Sequence, residues 1–141
     1  ARSINLEGSV DLILTSPPYA GVYDYSKHQD RRYPLYGTDG RQAEVKEIGS
    51  RFAAGVNYKE DMALVLKGMG AALAPKGKIL ILIGDGMSGP ADRLLTELAP
   101  AAGLKLVAGA SQKRREFTGA LQKEEHLFLL QPLKAAATSA P

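Results

Sequence analysis

The sequence has no cysteine and no tryptophan, holds only two histidines, His28 and His126, and contains no apolar run near the ~20 residues that cross a bilayer. The missing thiols exclude a disulfide scaffold, a cysteine nucleophile and thiolate-held zinc, and two histidines offer little to a histidine-rich metal site. The N-terminus lacks the basic-then-apolar layout of a secretory signal, so the expected location is the cytoplasm, with no membrane partner. The 141 residues begin at Ala1, which leads us to expect a processed, trimmed or excised piece of a longer chain. With 45% hydrophobic and 23% charged residues the composition is that of one ordinary globular domain. We place that domain at 1–134 and expect a disordered small-residue tail over 135–141.

Acidic and basic groups balance in the first half, so the formal net charge of +3 comes from the second. It concentrates at Lys113, Arg114, Arg115 and Lys123, around Phe117 and Gly119, and we read this as a basic loop. Cations interleaved with an aromatic suit nucleic-acid phosphates and bases, although a short charge run also serves as a solvated loop.

Val10 to Thr15 is a short β-rich run that stops at Ser16-Pro17-Pro18, because tandem prolines continue neither ladder nor helix. It reads as a buried strand ending in a rigid turn. Residues 20–57 show no sustained period, a length that in a compact domain points to function, and a short helix is expected around Gln42 to Phe52. Met62, Val65, Leu66, Met69 and Leu73 recur at helical spacing, with Asn57 as N-cap and Glu60 three residues on. Pro75-Lys76-Gly77 then turns the chain into Lys78 to Gly84, whose unbroken apolar character predicts a central strand covered on both faces. Gly84-Asp85-Gly86 ends it. A helix from Ser88–Pro90 through Leu98 follows, closed at Ala102-Gly103, and then strands at Leu104–Ala110 and His126–Leu130, the last stopped by Pro132. This order predicts an α/β fold with a mainly parallel sheet. The final strand follows its predecessor without a crossover helix and is therefore antiparallel.

The chemistry concentrates in Ser16-Pro17-Pro18-Tyr19, at the carboxyl end of the first strand, where open α/β sheets bind ligands. Ser16 offers a hydroxyl acceptor and Pro17 a carbonyl that no helical turn can claim, and the prolines fix both. Tyr19 adds a flat face. An exocyclic amino group carries two N–H donors, so two fixed oxygens can accept both while the ring stacks on the aromatic.

At these residues the chain resembles the DNA amino-methyltransferases, whose motif is Asp, Asn or Ser, then Pro-Pro, then an aromatic. The serine form is most similar to the N4-cytosine enzymes, while N6-adenine enzymes share the device. Ala74-Pro75-Lys76-Gly77-Lys78, Ala102-Gly103-Leu104 and Glu125-His126 look like the turns and strand starts of the second half of that fold. The resemblance covers about Ser9 to Pro132. It implies a partial Rossmann-like S-adenosylmethionine-dependent methyltransferase fold with sheet order first, second, fourth, third strand, DNA as partner, and S-adenosylmethionine as cofactor. It implies Ser16 and the Pro17 carbonyl as amine acceptors, Pro18 as part of the rigid turn and Tyr19 as the stacking platform. Lys113, Arg114, Arg115 and Lys123, by their charge, are candidates for following phosphates, with a solvated loop as the other reading.

The family's glycine-rich cofactor loop and the acidic residue after its second strand have no counterpart in this sequence. Gly84-Asp85-Gly86 lies after the wrong strand and reads as a strand-end turn. The expectation is the target-base half of an enzyme, inactive alone. Its partner is a missing N-terminal half or a second chain, with self-association through an apolar first-strand edge as the outcome for the isolated chain. Tyr23, Asp24, Tyr25 and Asp85 are secondary candidates for the pocket rim, and His126 reads as structural. A non-catalytic nucleic-acid-binding fragment is the alternative. A third reading moves the same chemistry to RNA or a protein amide, against which Ser16 in place of an asparagine argues.

Overall fold

The computed structural model describes residues 6, 8–22, 25–39, 47–49, 57–114 and 123–133. Four strands, β1 (Val10–Thr15), β2 (Leu73–Gly84), β3 (Leu104–Arg114) and β4 (Lys123–Pro132), form one sheet in the order β1-β2-β4-β3. β1 pairs parallel to β2, and β4 lies antiparallel between β2 and β3. β1, β2 and β3 thus run one way and the last strand runs back, in the order expected from the sequence.

Two helices cover one face of this sheet. α1 (Tyr25–Gln29) is a short early turn, α2 (Tyr58–Ala72) is the long amphipathic helix, and α3 (Ala91–Leu98) follows β2. Met62, Val65, Leu66 and Met69 of α2 are buried against Ile79, Ile81, Ile83, Leu95, Leu104, Phe128 and Leu130, as their spacing predicts. Asn57 makes no side-chain cap bond, so Glu60 and Asp61 in the first turn are the acidic complement to the exposed N–H groups.

The strand ends differ from expectation. β2 begins at Leu73, directly after α2, and Pro75-Lys76-Gly77 lies within it as an irregularity: Val10 aligns with Leu73 but Leu12 already with Lys78. β3 and β4 extend each other well past Ala110 and His126, with Lys113 opposite Glu124 and Arg114 opposite Lys123. Lys113, Arg114 and Lys123 therefore stand at strand ends instead of in a loop, and Arg115 lies outside the described residues. The ladder persists because antiparallel neighbours need no apolar face to continue pairing, and opposite charges such as Lys113 and Glu124 favour it.

The prediction of a sheet buried on both sides fails on the second face. Ile79, Ile81 and Ile83 point into the core, while Leu82 of β2 is 37% exposed and Leu127 of β4 42%. On β1, expected to be buried, Leu12 is 56% and Leu14 72% exposed, and among the described residues β1 is an edge strand. An unbroken apolar run reports that both faces are apolar, but it does not report that this chain covers them. The helix expected around Gln42 to Phe52 falls largely outside the described residues, and the described part, 47–49, is not helical. Helical turns occur earlier instead, at α1 and in a 3-10 turn over Tyr33–Tyr36 that ends at left-handed Gly37. The tail at 135–141 also lies outside the described residues. Among the described residues, no helix is long and apolar enough to cross a membrane.

The one-sided core generates a contrast between two leucines. Leu66→Ala removes a fully buried side chain and is expected to cost about 2–5 kcal/mol. Leu14→Ala, on the open face, is expected to stay within about 0.5 kcal/mol. Urea denaturation of the two variants measures both.

Candidate active site at the end of the first strand

β1 ends at Thr15, level with Ile81, while β2 continues to Gly84. The chain leaving β1 therefore turns beside the last residues of β2. Ser16 is exposed, Pro17 buried, Pro18 and Tyr19 half-buried, and Ala20 joins the core. The four motif residues and Asp85 share this rim.

The oxygens of the turn are not equivalent. The Pro18 carbonyl accepts the Tyr58 hydroxyl at 2.8 Å, and the Tyr19 carbonyl accepts the Val22 N–H at 3.2 Å. Among the described residues, nothing bonds the Ser16 hydroxyl or the Pro17 carbonyl. The two oxygens expected to hold an amine are thus among those left unclaimed by the described residues.

Tyr19 is held at both ends of its ring. Its hydroxyl donates to Glu125 Oε1 at 2.6 Å, and its ring lies over Gly84, where an added Cβ would stand 2.6 Å from Cε2. Gly84 is required here for close approach. Gly86 is filled in the same way, its missing Cβ position lying 2.5 Å from the Ala20 carbonyl oxygen. The Gly84-Asp85-Gly86 turn is consequently packed with this chain's own atoms, and it does not fit a cofactor cradle.

Asp85 and His126 serve the frame. Asp85 Oδ1 accepts the Ala91 N–H at 2.9 Å, capping α3, and lies 3.1 Å from His126 Nε2. His126 is buried, stacks on Phe128 at 5.3 Å, and has Ser111 Oγ 2.7 Å from Nδ1. Donation from Nε2–H to the carboxylate leaves Nδ1 to accept the Ser111 hydroxyl, a consistent neutral tautomer. Tyr23, Asp24 and the Tyr25 side chain lie outside the described residues. Ser26, next along, donates its backbone N–H to Glu47 Oε2 at 3.1 Å and its hydroxyl to the same atom. Glu47 leads to Gly49, whose carbonyl accepts the Gly21 N–H at 2.9 Å, so α1 is tied back to the segment after the motif. Among the described residues no cluster of metal-ligating side chains forms. The strand-end cations Lys113, Arg114 and Lys123 belong to the β3–β4 hairpin, which also carries Glu125.

Tyr58, Gly84 and Glu125 were not singled out as site residues in the sequence. Asn57 and Tyr58 at the start of a helix signalled only its N-terminus, and no local pattern links Tyr58 to Pro18.

Comparison with solved structures decides what kind of fold this is. A candidate DNA modification methylase from Thermus thermophilus matches at a TM-score of 0.53 and 16% identity, over 96% of this chain and 50% of that one. The fold is a Rossmann-like methyltransferase fold. The Thermus protein complexed with S-adenosyl-L-methionine matches at 0.53 with 14% identity, over 96% of this chain and 53% of that one. An S-adenosylmethionine-dependent methyltransferase from Methanosarcina mazei matches at 0.52 with 9% identity, over 94% and 64%. The chain thus spans about half the length of the Thermus structures. No family model and no curated protein sequence matches it.

Within this methyltransferase fold, Tyr58 offers a direct test of the rim. Burial, with the Tyr19 phenol nearby, pushes its hydroxyl from the ordinary 10.0 up to about 12. The unfolded chain loses this proton first, so Tyr58 contributes stability that is intact below pH 10 and is lost as pH rises toward about 12. In Tyr58→Phe this residue's share of the alkaline decline disappears. Urea midpoints collected across that window, wild type against variant, measure it.

Proposed function

We propose that this chain is the target-base half of a cytoplasmic DNA amino-methyltransferase, acting on the exocyclic nitrogen of cytosine (N4) or adenine (N6). The observation that carries the reading is the pair of unclaimed oxygens, Ser16 Oγ and the Pro17 carbonyl, beside the braced ring of Tyr19 at the carboxyl end of β1. A flipped base stacks on Tyr19 and donates both amine hydrogens to these oxygens, which orients the nitrogen lone pair away from the ring. Tyr58 keeps the Pro18 carbonyl from competing for the same donors. The match in fold to a candidate DNA modification methylase supports DNA as substrate.

S-adenosylmethionine supplies the methyl group in this reading, as the Thermus complex suggests. The Gly84-Asp85-Gly86 turn after β2 is filled by the Tyr19 ring and the Ala20 backbone. We therefore assign cofactor binding to a complementary half, either another segment of a longer chain or a second chain, joined at the β1 edge. Without it, that edge is expected to pair with a second copy. The filled turn also favours a second reading, a nucleic-acid-binding fragment that keeps the fold without catalysis.

Calorimetry and light scattering separate these. The isolated chain is expected to give no measurable heat with S-adenosylmethionine and to scatter as a dimer or larger. A monomer with micromolar cofactor affinity would overturn the assignment. In an assembly that does bind the cofactor, Ser16→Ala is expected to slow methyl transfer more than it raises KM. Tyr19→Ala should cost about 1–3 kcal/mol in base binding, measured by steady-state kinetics and titration. Methylation unaffected by either change rejects the role assigned to that residue, and cofactor binding without any methylation favours the second reading.

For the basic strand ends, joint neutralisation of Lys113, Arg114 and Arg115 is expected to weaken DNA binding evenly across sequences and flatten its salt dependence. Anisotropy titrations at several salt concentrations read the slope, and an unaltered slope assigns these cations to solvent.

A further inference from the structure

Glu125 stands directly opposite Gly84 in the β2–β4 ladder and opposite Gln112 in the β3–β4 ladder. The glycine seat under Tyr19 and the carboxylate that receives its hydroxyl are therefore supplied from one level of the sheet. The 2.6 Å bond from the phenol to Glu125 Oε1 is short, as expected for an acceptor that carries charge. Gln112 Nε2 lies 3.4 Å from the other oxygen, Oε2, so the carboxylate is in contact with β3 as well. A tyrosine ring has two soft torsions. Gly84 limits how close it lies to the sheet, but a flat seat does not fix rotation within the plane. The hydroxyl tether does, because one end of the ring is anchored to a group carried by three paired strands.

We propose that Glu125 is a positioning residue of the base site: it fixes the plane and direction of the Tyr19 ring so that a base can stack on it. The proposal rests on the base-binding reading above and adds a residue to it. Glu125 acts through Tyr19, and three consequences follow. Loss of the carboxylate lowers stacking without lowering the phosphate-driven affinity for a strand. Gln, whose amide oxygen still accepts from the phenol, retains most of the function. Once the phenol hydroxyl is gone, Glu125 no longer has a hold on the direction of the Tyr19 ring.

The test uses the whole chain and a thymine oligonucleotide with a single 2-aminopurine, whose fluorescence is quenched by stacking, and an end label whose anisotropy reports total binding. Wild type, Glu125→Ala, Glu125→Gln, Tyr19→Phe and the Glu125→Ala/Tyr19→Phe pair are compared, with thermal melting as the control for folding. In Glu125→Ala, quench-detected binding is expected to fall about three- to tenfold, the worth of one hydrogen bond, while anisotropy is unchanged. Tyr19→Phe should lose a similar factor, the double variant no more than either, and Glu125→Gln should remain near wild type. Glu125→Ala that quenches like wild type, or losses that add in the double variant, overturn the proposal. A uniform fall in melting temperature, anisotropy and quench gives Glu125 a structural role only and also overturns it. A wild-type chain that binds the strand without quenching rejects instead the base-binding reading beneath it.

Discussion

The parallel pairing of β1 with β2 is the constraint on which the site depends. With Thr15 held level with Ile81, the chain must leave β1 before β2 has ended, and the proline turn is delivered against the last residues of its neighbour. A shift of that register by one residue would invert the inward and outward side chains of β1. It would also move Tyr19 off Gly84, the one position on that strand end where a ring can lie against backbone. β4, the antiparallel neighbour of β2, then supplies Glu125, and α2 supplies Tyr58, each reaching a place already set by the strand register.

Much of this was legible in the sequence, and the parts that were not share a cause. The motif, the order of the strands and the buried stripe of α2 are written in short-range patterns: tandem prolines after an apolar run, helical spacing of Met62, Val65, Leu66 and Met69. The supports of the motif are not. Tyr58 meets Pro18 across 40 residues and Tyr19 meets Glu125 across 106, and a single sequence carries no trace of either meeting. The basic residues were misplaced into a loop because polar strand ends such as Ser111-Gln112-Lys113 lack the apolar alternation by which strands are recognised. The second sheet face was read as covered because Ile79 to Ile83 is apolar on both sides, whatever lies against it.

The rim and the open face belong to one design. In the proposed reading, the groups that would orient a base come from the strand ends and from the side of the sheet closed by α2 and α3. The opposite face presents leucines from β1, β2 and β4, a contiguous apolar surface of the kind that proteins cover. In the proposed reading, this apolar face is where a complementary element would add both a covering layer and a site for the cofactor.

The order in which such a chain acquires structure follows from the same sheet. β3 and β4 are joined by a short connection and pair antiparallel, so their contacts cost little loop closure, whereas β1 must wait for β2 at the far end of α2. β1 is also bonded along one side only, with Leu12 and Leu14 adding little burial to hold it. The strand that carries Ser16 to Tyr19 is therefore the last to dock and the first to be released, and the amides of β1 belong at the fast-exchanging end of the molecule. Whatever pairs with the free edge of β1 would slow that exchange, making occupancy of the edge and integrity of the motif a single equilibrium.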